Sequence, residues 1–329
     1  MGKIKKISLC LVSFLICFII GEGCFRIYHC HKYSIPLKEG LLYGSHTRKN
    51  HQFYVFDKTL GWKNIENENY GFQAFGDTSS TKKKVLIIGD SFTRAVQIDP
   101  NKTYYSYLST LPIELFVYGV DGYGTLQEYL VLEKYFDLIN PDIVIIQLCW
   151  NDFVENSIEF GTKSHLNINK IKRPYLMDDA TITYKDPSRD NLIIFFANHY
   201  SKLLRFVLSR TRLFSYNIEQ EIQLKGPEHP VFQKASDITS SIFAMISQRC
   251  SNLPVIVFAV GDTQPYYQEF KKISKKHNFI FLENIAGSMK NAKEQGVAIK
   301  LHDMAHWNEQ GHKIAGREII SFLKKAFML

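Results

Sequence analysis

Val85-Leu86-Ile87-Ile88-Gly89-Asp90-Ser91-Phe92 reads as a buried strand that runs into a tight turn and presents a serine. Three lysines, Lys82 to Lys84, precede a short uninterrupted apolar run. Such a run suits a strand covered on both faces, as in a parallel sheet. Gly89 permits the turn and a close approach of backbone. Ser91 then lies beyond the strand's carboxyl end, where open α/β sheets hold their ligands. The plainer alternative is that Asp90 and Ser91 merely cap a helix. The stretch is not a Gly-x-Ser-x-Gly elbow, because Thr93 stands where the second glycine would be.

Two further strings end at the same expected sheet edge. Val117-Tyr118-Gly119-Val120-Asp121-Gly122-Tyr123-Gly124-Thr125 closes one apolar run, and Pro141 to Asp152 closes another in Asn151-Asp152. The backbone amide of Gly122 and the side-chain amide of Asn151 are candidates to meet one oxyanion. Turn chemistry for the glycines and a loop start for Asn151 are the bland alternatives.

The partner of the serine lies more than two hundred residues away, in Asp303-Met304-Ala305-His306. A hydroxyl, an imidazole and a carboxylate to orient the imidazole make an acyl-transfer site. His302 and His306 also mimic the zinc motif His-Glu-x-x-His, with Asp303 for the glutamate. That motif requires a helix, and the clear helix starts only after Asn308. A surface histidine with a local carboxylate contact is the third alternative. Asp90 neighbours the serine but belongs to the turn, since adjacent side chains on a strand end diverge. Asp152 reads as a supporting group behind the site, and His312 as helix surface.

These blocks resemble the SGNH (GDSL-type) hydrolase superfamily: Gly89-Asp90-Ser91-Phe92, Gly122 within Val-Asp-Gly-Tyr-Gly, Asn151-Asp152, and Asp303-x-x-His306. The resemblance covers roughly residues 84–152 and 297–326. It implies Ser91 as nucleophile, His306 as base and Asp303 as its orienter. It also implies an oxyanion hole made by Ser91, Gly122 and Asn151, with no metal or cofactor. Two positions depart from the family pattern. Val117 stands where asparagine is common, and Cys149 where glycine is usual. A narrower resemblance joins an N-terminal anchor, Leu60-Gly61-Trp62, Gly-Asp-Ser-Phe-Thr, and His306-Trp307-Asn308-Glu309-Gln310-Gly311-His312. This set is similar to bacterial membrane-anchored SGNH proteins of envelope or exopolysaccharide modification.

Strands and helices alternate, which predicts a three-layer α/β/α sandwich with a central parallel sheet. Helices are expected over Gln127–Leu138, Ile238–Arg249, Tyr266–Lys276 and Asn308–Lys325. Strands are expected over Pro254–Val260 and Phe279–Leu282. Residues 1–26 form an anchor or signal peptide, and 27–80 a tether with a packed extension. Residues 81–329 form the catalytic domain. Within it, 153–234 breaks the pattern with four prolines and an apolar run from Leu192 to Leu208. It is too long for a plain loop and reads as an inserted cap over the catalytic edge.

The chain has 329 residues, enough for one sizeable core, and an aromatic content of 14% argues against disorder. A formal net charge of +8 without a nucleic-acid motif or phosphate loop excludes no envelope partner and points to no nucleic acid. Ile7 to Gly21 is apolar and uncharged behind Lys3, Lys5 and Lys6, so the expected topology leaves that flank in the cytoplasm and exports the rest. Cleavage before Cys24 is the rival reading. Cys149 and Cys250 lie in the body without a Cys-x-x-Cys pattern and read as unpaired.

The expected activity is hydrolysis of O-acyl esters, chiefly O-acetyl, on an envelope glycan or lipid, by a single-pass protein of the bacterial cell membrane. An O-acetyltransferase would use the same acyl-enzyme, and its partners would be a polysaccharide and the machinery that modifies it. A non-catalytic glycan-binding assembly protein on the same scaffold is the third class.

Overall fold

The predicted strand at Val85 is the centre of the sheet in a computed structural model, which describes residues 2–33, 54–64, 69–164, 172–186, 192–211, 218–303 and 305–328. The chain begins with a 32-residue helix, α1 (Gly2–Tyr33). A hairpin of β1 (Tyr54–Asp57) and β2 (Gly61–Asn64) and a short β3 (Ala74–Phe75) follow. The core unit then runs β4 (Lys83–Gly89), α2 (Ser91–Arg94), β5 (Ile113–Gly119), α3 (Thr125–Ile139) and β6 (Ile143–Leu148). After it come α4 (Asp152–Asn156), α5 (Ile158–Lys163), the hairpin β7 (Arg173–Leu176) with β8 (Ile182–Lys185), α6 (Leu192–Tyr200), α7 (Lys202–Thr211), α8 (Ile218–Lys225) and α9 (Pro230–Arg249). The chain closes with β9 (Val255–Ala259), α10 (Tyr266–Lys276), β10 (Ile280–Phe281), α11 (Glu283–Glu294) and α12 (Glu309–Phe327).

The main sheet has the order β10-β9-β6-β4-β5-β3. All neighbours pair in parallel except β3, whose Ala74 and Phe75 run antiparallel to Val117 and Phe116 at the edge. The sheet is therefore parallel with one antiparallel edge strand, an addition the sequence reading lacked. Two residues are too short a run to show a period, so β3 carries no pattern of its own.

Alternation along each strand feeds two cores. Val85 and Ile87 face one side with Ile143, Ile145, Ile256 and Phe258, covered by Ile285 and Met289 of α11 and by Ala315, Ile319 and Leu323 of α12. Leu86 and Ile88 face the other with Val144, Ile146 and Val257, covered by Leu126 and Val131 of α3, Phe243 of α9 and Phe270 of α10. A strand residue buried on either face contributes roughly 1.5–3 kcal/mol from burial alone. This is the three-layer sandwich expected from the apolar runs. Cys149 and Cys250 are unpaired because they lie in the two separate cores.

Gly119 shows how tightly the central turn packs. A Cβ there would meet the backbone of Arg94, 2.9 Å from its Cα and within contact of the Thr93 carbonyl carbon, 2.7 Å away. Gly89 is equally confined, since a Cβ would press on Thr93 Oγ1 and on Gln147.

The helices differ from expectation chiefly in their ends. Tyr266–Lys276 agrees throughout. The helix expected from Ile238 starts at Pro230, with proline at its first position, where the missing N–H is no loss. The apolar run from Leu192 to Leu208 is two helices, broken at Ser201, which accepts from Leu204 N–H and so begins α7. Helix α11 is an element the sequence reading left out. His312, read as helix surface, is 2% exposed. Its ring stacks on Tyr104 with centroids 6.0 Å apart, and its Nδ1 accepts the Tyr104 N–H at 3.2 Å. The face of α12 that carries Gly311, Ala315 and Ile319 turns His312 inward with it.

Candidate active site

The strand order makes the site. The chain leaves β4, forms β5 on one side, then crosses to form β6 on the other. Loops beyond β4, β5 and β6 diverge there and leave a crevice at their carboxyl ends. Ser91 follows β4 by two residues, Gly122 follows β5 by three, and Asn151 follows β6 by three. Gly89 pairs with Gly119 and Ile88 with Ile146, so the three loops start level. All three residues are half-buried, as a cleft floor open to solvent would be.

Ser91 is held by a short capped turn. Asp90 accepts the Phe92 N–H at 2.9 Å, and its own N–H donates to Gln147 Oε1 at 3.1 Å. Thr93 Oγ1 donates to the same oxygen at 2.9 Å and lies 2.8 Å from the Tyr104 hydroxyl. Thr93, which breaks the elbow pattern, thus anchors the turn to β6. The turn ends at Ala95, left-handed at φ 50°, whose N–H returns to the Ser91 carbonyl.

His306 reaches the serine from the other end of the chain. Its Nε2 is 2.8 Å from Ser91 Oγ, and its Nδ1 is 2.7 Å from Asp303 Oδ2. The other oxygen of Asp303 accepts the N–H groups of Ala305 (2.9 Å) and His306 (3.0 Å). Residues 302 and 303 form a turn and not a helix, so His302 and His306 do not share a helical face. The loop is braced by backbone bonds between Leu301 and His306 and between Asn308 and Ile299. Phe92 lies against the imidazole, 5.1 Å between centroids, and packs edge-on to Trp307. Trp307 in turn donates to the Val260 carbonyl at 3.2 Å.

The electrostatics divide rim from floor. At the rim, partial burial would raise the Asp303 carboxyl, but hydrogen bonds from the His306 ring and two backbone amides outweigh it and hold the group below its ordinary value. Beneath the turn, burial pushes the Asp90 carboxyl up to about 6, although its amide partner and the nearby His306 favour the anion. Asp152 and Glu128 are pushed well above the carboxylate range, first by burial and then by nearby carboxylates. Asp152 accepts the Cys149 N–H at 3.2 Å and the Thr125 hydroxyl at 3.3 Å. Asp90, Asp152 and Glu128 are all buried, and each of Asp152 and Glu128 is raised further by its carboxylate neighbours.

Three residues outside the four catalytic blocks hold the Gly122 loop. Arg94, 3% exposed at its side chain, donates to Asp121 Oδ2 at 2.9 Å. Trp62 Nε1 donates to the Asp121 carbonyl at 3.2 Å. Arg173 of β7 donates to the Gly122 carbonyl at 3.3 Å, pairs with Glu155 of α4, and lies over the Trp62 ring. Gly122 itself has φ 74°, the left-handed region that favours glycine. Trp62 stood in the Leu-Gly-Trp string; Arg94 and Arg173 carry no motif at all. A cleft of about 350 Å³ lined by Ser157, Thr162, Leu176 and Ile238 includes none of the triad.

Chemically, a hydroxyl bonded to an imidazole that is bonded to a carboxylate can pass a proton inward while the oxygen attacks a carbonyl. Among the described residues no cluster of three or more histidine, cysteine or acidic side chains could hold a metal ion.

No protein-family model and no curated protein matches this chain. Among solved structures, it is similar to a member of the lipolytic protein G-D-S-L family from Veillonella parvula, at 10% identity and TM-score 0.43, over 74% of this chain and 99% of that one. It is also similar to an alpha/beta hydrolase enzyme from the metagenome of Lake Arreo, at 12% identity and TM-score 0.43, over 75% and 97% of the two chains. A third similar structure is an acetylxylan esterase from Geobacillus stearothermophilus, at 13% identity and TM-score 0.40, over 74% and 94%.

Proposed function

We propose that this chain is an SGNH-type serine esterase that removes O-acyl groups, chiefly O-acetyl, from an envelope glycan or lipid. The observation that carries the reading is the bonded series Ser91–His306–Asp303, at 2.8 and 2.7 Å. Ser91 Oγ attacks the ester carbonyl as His306 takes its proton. The tetrahedral oxyanion is met by the amides of Ser91 and Gly122 and by the Asn151 side chain. His306 then gives the proton to the leaving alkoxide, and an acyl-serine remains. Water, deprotonated by the same imidazole, attacks the acyl carbon and frees the acid and the serine. Asp303 keeps Nδ1 protonated and steadies the imidazolium that forms twice per cycle.

The substrate class rests on the membrane. One helix among the described residues is long and apolar enough to cross a bilayer, Lys6–Tyr28. With lysines before it, the catalytic body (residues 81–329, with 153–234 inserted) lies on the extracytoplasmic side, behind residues 27–80. A site open at its rim and tethered there meets polymers and lipids of the envelope.

The test uses the full chain in detergent with a chromogenic acetyl ester, alone and with an oligosaccharide acceptor. Release of acetate that Ser91→Ala abolishes supports hydrolysis. Acetylated oligosaccharide found by mass, in place of acetate, would make the protein a transferase, and no turnover of any ester would remove the enzyme reading.

A further inference from the structure

Helices α6 and α7 stand apart from the rest of the insertion by what they touch. They dock on α1, and at one level of it. Glu22 of α1 accepts the N–H groups of Lys202 (3.0 Å) and Leu203 (2.9 Å) and the hydroxyl of Ser201 (2.8 Å), so its carboxylate caps the N-terminus of α7. Arg26 pairs with the same carboxylate at 2.6 Å and donates to the Tyr200 carbonyl at 3.1 Å. Phe25 meets Phe206 with centroids 5.0 Å apart. Gly21 leaves room for Leu203, whose methyl would sit 3.1 Å from a Cβ there.

That level is the end of the uncharged apolar run, which stops at Gly21. A carboxylate, an arginine and a helix N-terminus that satisfy one another suit the depth where hydrocarbon gives way to headgroups. The helices are too short to cross a bilayer, at roughly 1.5 Å per residue for 9 and 10 residues. Yet α6 opens with five large apolar residues in succession, Leu192 to Phe196. Leu192 is 79% exposed, Ile193 and Phe196 46% each, and Tyr200 56%. Large apolar side chains so exposed on one helix call for cover. From Leu192 to Thr211 the sequence holds Lys202, Arg205 and Arg210 and no acidic residue.

We propose that α6 and α7 form a second membrane contact, lying in the headgroup region beside α1 with the apolar side of α6 in lipid, where a stretch with three basic residues and no acidic one suits anionic phosphates. The inference rests on the reading of α1 as a bilayer span. Lipid is the occupant because α7 docks at the end of the apolar run of α1, and α1 and α6 both expose large apolar side chains. The insertion then has two tasks. Its β7 end braces the Gly122 loop, and its α6–α7 end fixes the body against the bilayer at a second point.

The experiment places a photo-crosslinking residue, p-benzoylphenylalanine, at one position at a time in the full chain. The chain is reconstituted in vesicles of phosphatidylethanolamine and phosphatidylglycerol. Positions 196 and 207 test the proposal, 15 reports on α1, and 138, an exposed leucine of α3, is the aqueous control. Lipid adducts by mass at 15, 196 and 207 and none at 138 are expected. Adducts at 15 alone would overturn the second contact while leaving the span intact. Adducts at none of the positions would remove the span itself, and the inference with it. Protein adducts in place of lipid at both 196 and 207 would assign the surface to a protein partner and overturn the proposal. Because Phe196 and Val207 are exposed, neither replacement disturbs the core, and an unchanged melting temperature checks this.

Discussion

Arg94 Nη1 donates to Asp121 Oδ2 at 2.9 Å, and this bond ties the turn that presents Ser91 to the loop that presents Gly122. The proposed nucleophile and the proposed oxyanion donor are thus linked by a hydrogen bond, although they follow different strands. Arg94→Met removes the tie and leaves the Asp121 carboxylate without its guanidinium partner. We expect kcat to fall by about 10²-fold, as for a misplacement near 1 Å, with KM little changed. Steady-state kinetics on an acetyl ester reads both; a rise in KM at constant kcat would assign Arg94 to ground-state binding.

Ser91→Ala should lower kcat/KM by about 10⁴-fold or more, with residual catalysis from the oxyanion donors. The fold should survive, because the hydroxyl's bond is to His306 at the rim and the turn is anchored by Asp90 and Thr93. Calorimetry beside the ester assay separates the two effects, and full activity in the variant would end the triad assignment. Removing the side-chain donor in Asn151→Ala should cost about 10²–10³-fold in kcat alone.

The contribution of Asp90 to stability should fall as pH rises toward about 6, while burial of His312, lowered to about 4, gains over much of the same range and opposes it in the total. Burial sets the Asp90 carboxyl to titrate at about 6 in the folded chain against an ordinary 3.8. The unfolded chain gives up that proton first, so the contribution is complete below 3.8 and is lost as pH climbs past 6. Asp90→Asn keeps an acceptor for the Phe92 N–H without the buried charge. It should stabilise the protein by on the order of 2–3 kcal/mol at pH 8 and by about half as much at pH 5. Thermal melts at the two pH values decide it; an equal gain at both would clear Asp90 of the effect.

Gly119→Ala should destabilise the fold by about 3 kcal/mol or more, since the added methyl meets backbone of the nucleophile turn and not a side chain that can swing away. A denaturant titration gives the value. Gly261→Ala is the control, since an added Cβ there meets nothing within 4 Å; equal losses at both would show that confinement is not the cause.

Much of this protein is written locally. The runs 85–88, 143–146 and 255–259 specify buried parallel strands, because a strand covered on both faces suits so many consecutive apolar residues. The same local logic marks the turn at Gly89-Asp90-Ser91 and the Asx turn at Asp303, where a carboxylate and an imidazole three residues apart meet within a single turn. What no window of sequence contains is the sheet order. It sets β4 between β5 and β6, and so brings Ser91 to His306 across 215 residues. Nor does a short window reveal Arg94, Arg173, Glu128 or His312, since a charged or polar residue in sequence shows neither its burial nor its partner. Those are decided by packing: helix faces, the closeness that Gly119 allows, and contacts such as Arg173 with Gly122 and Leu203 with Glu22 that join distant parts of the chain.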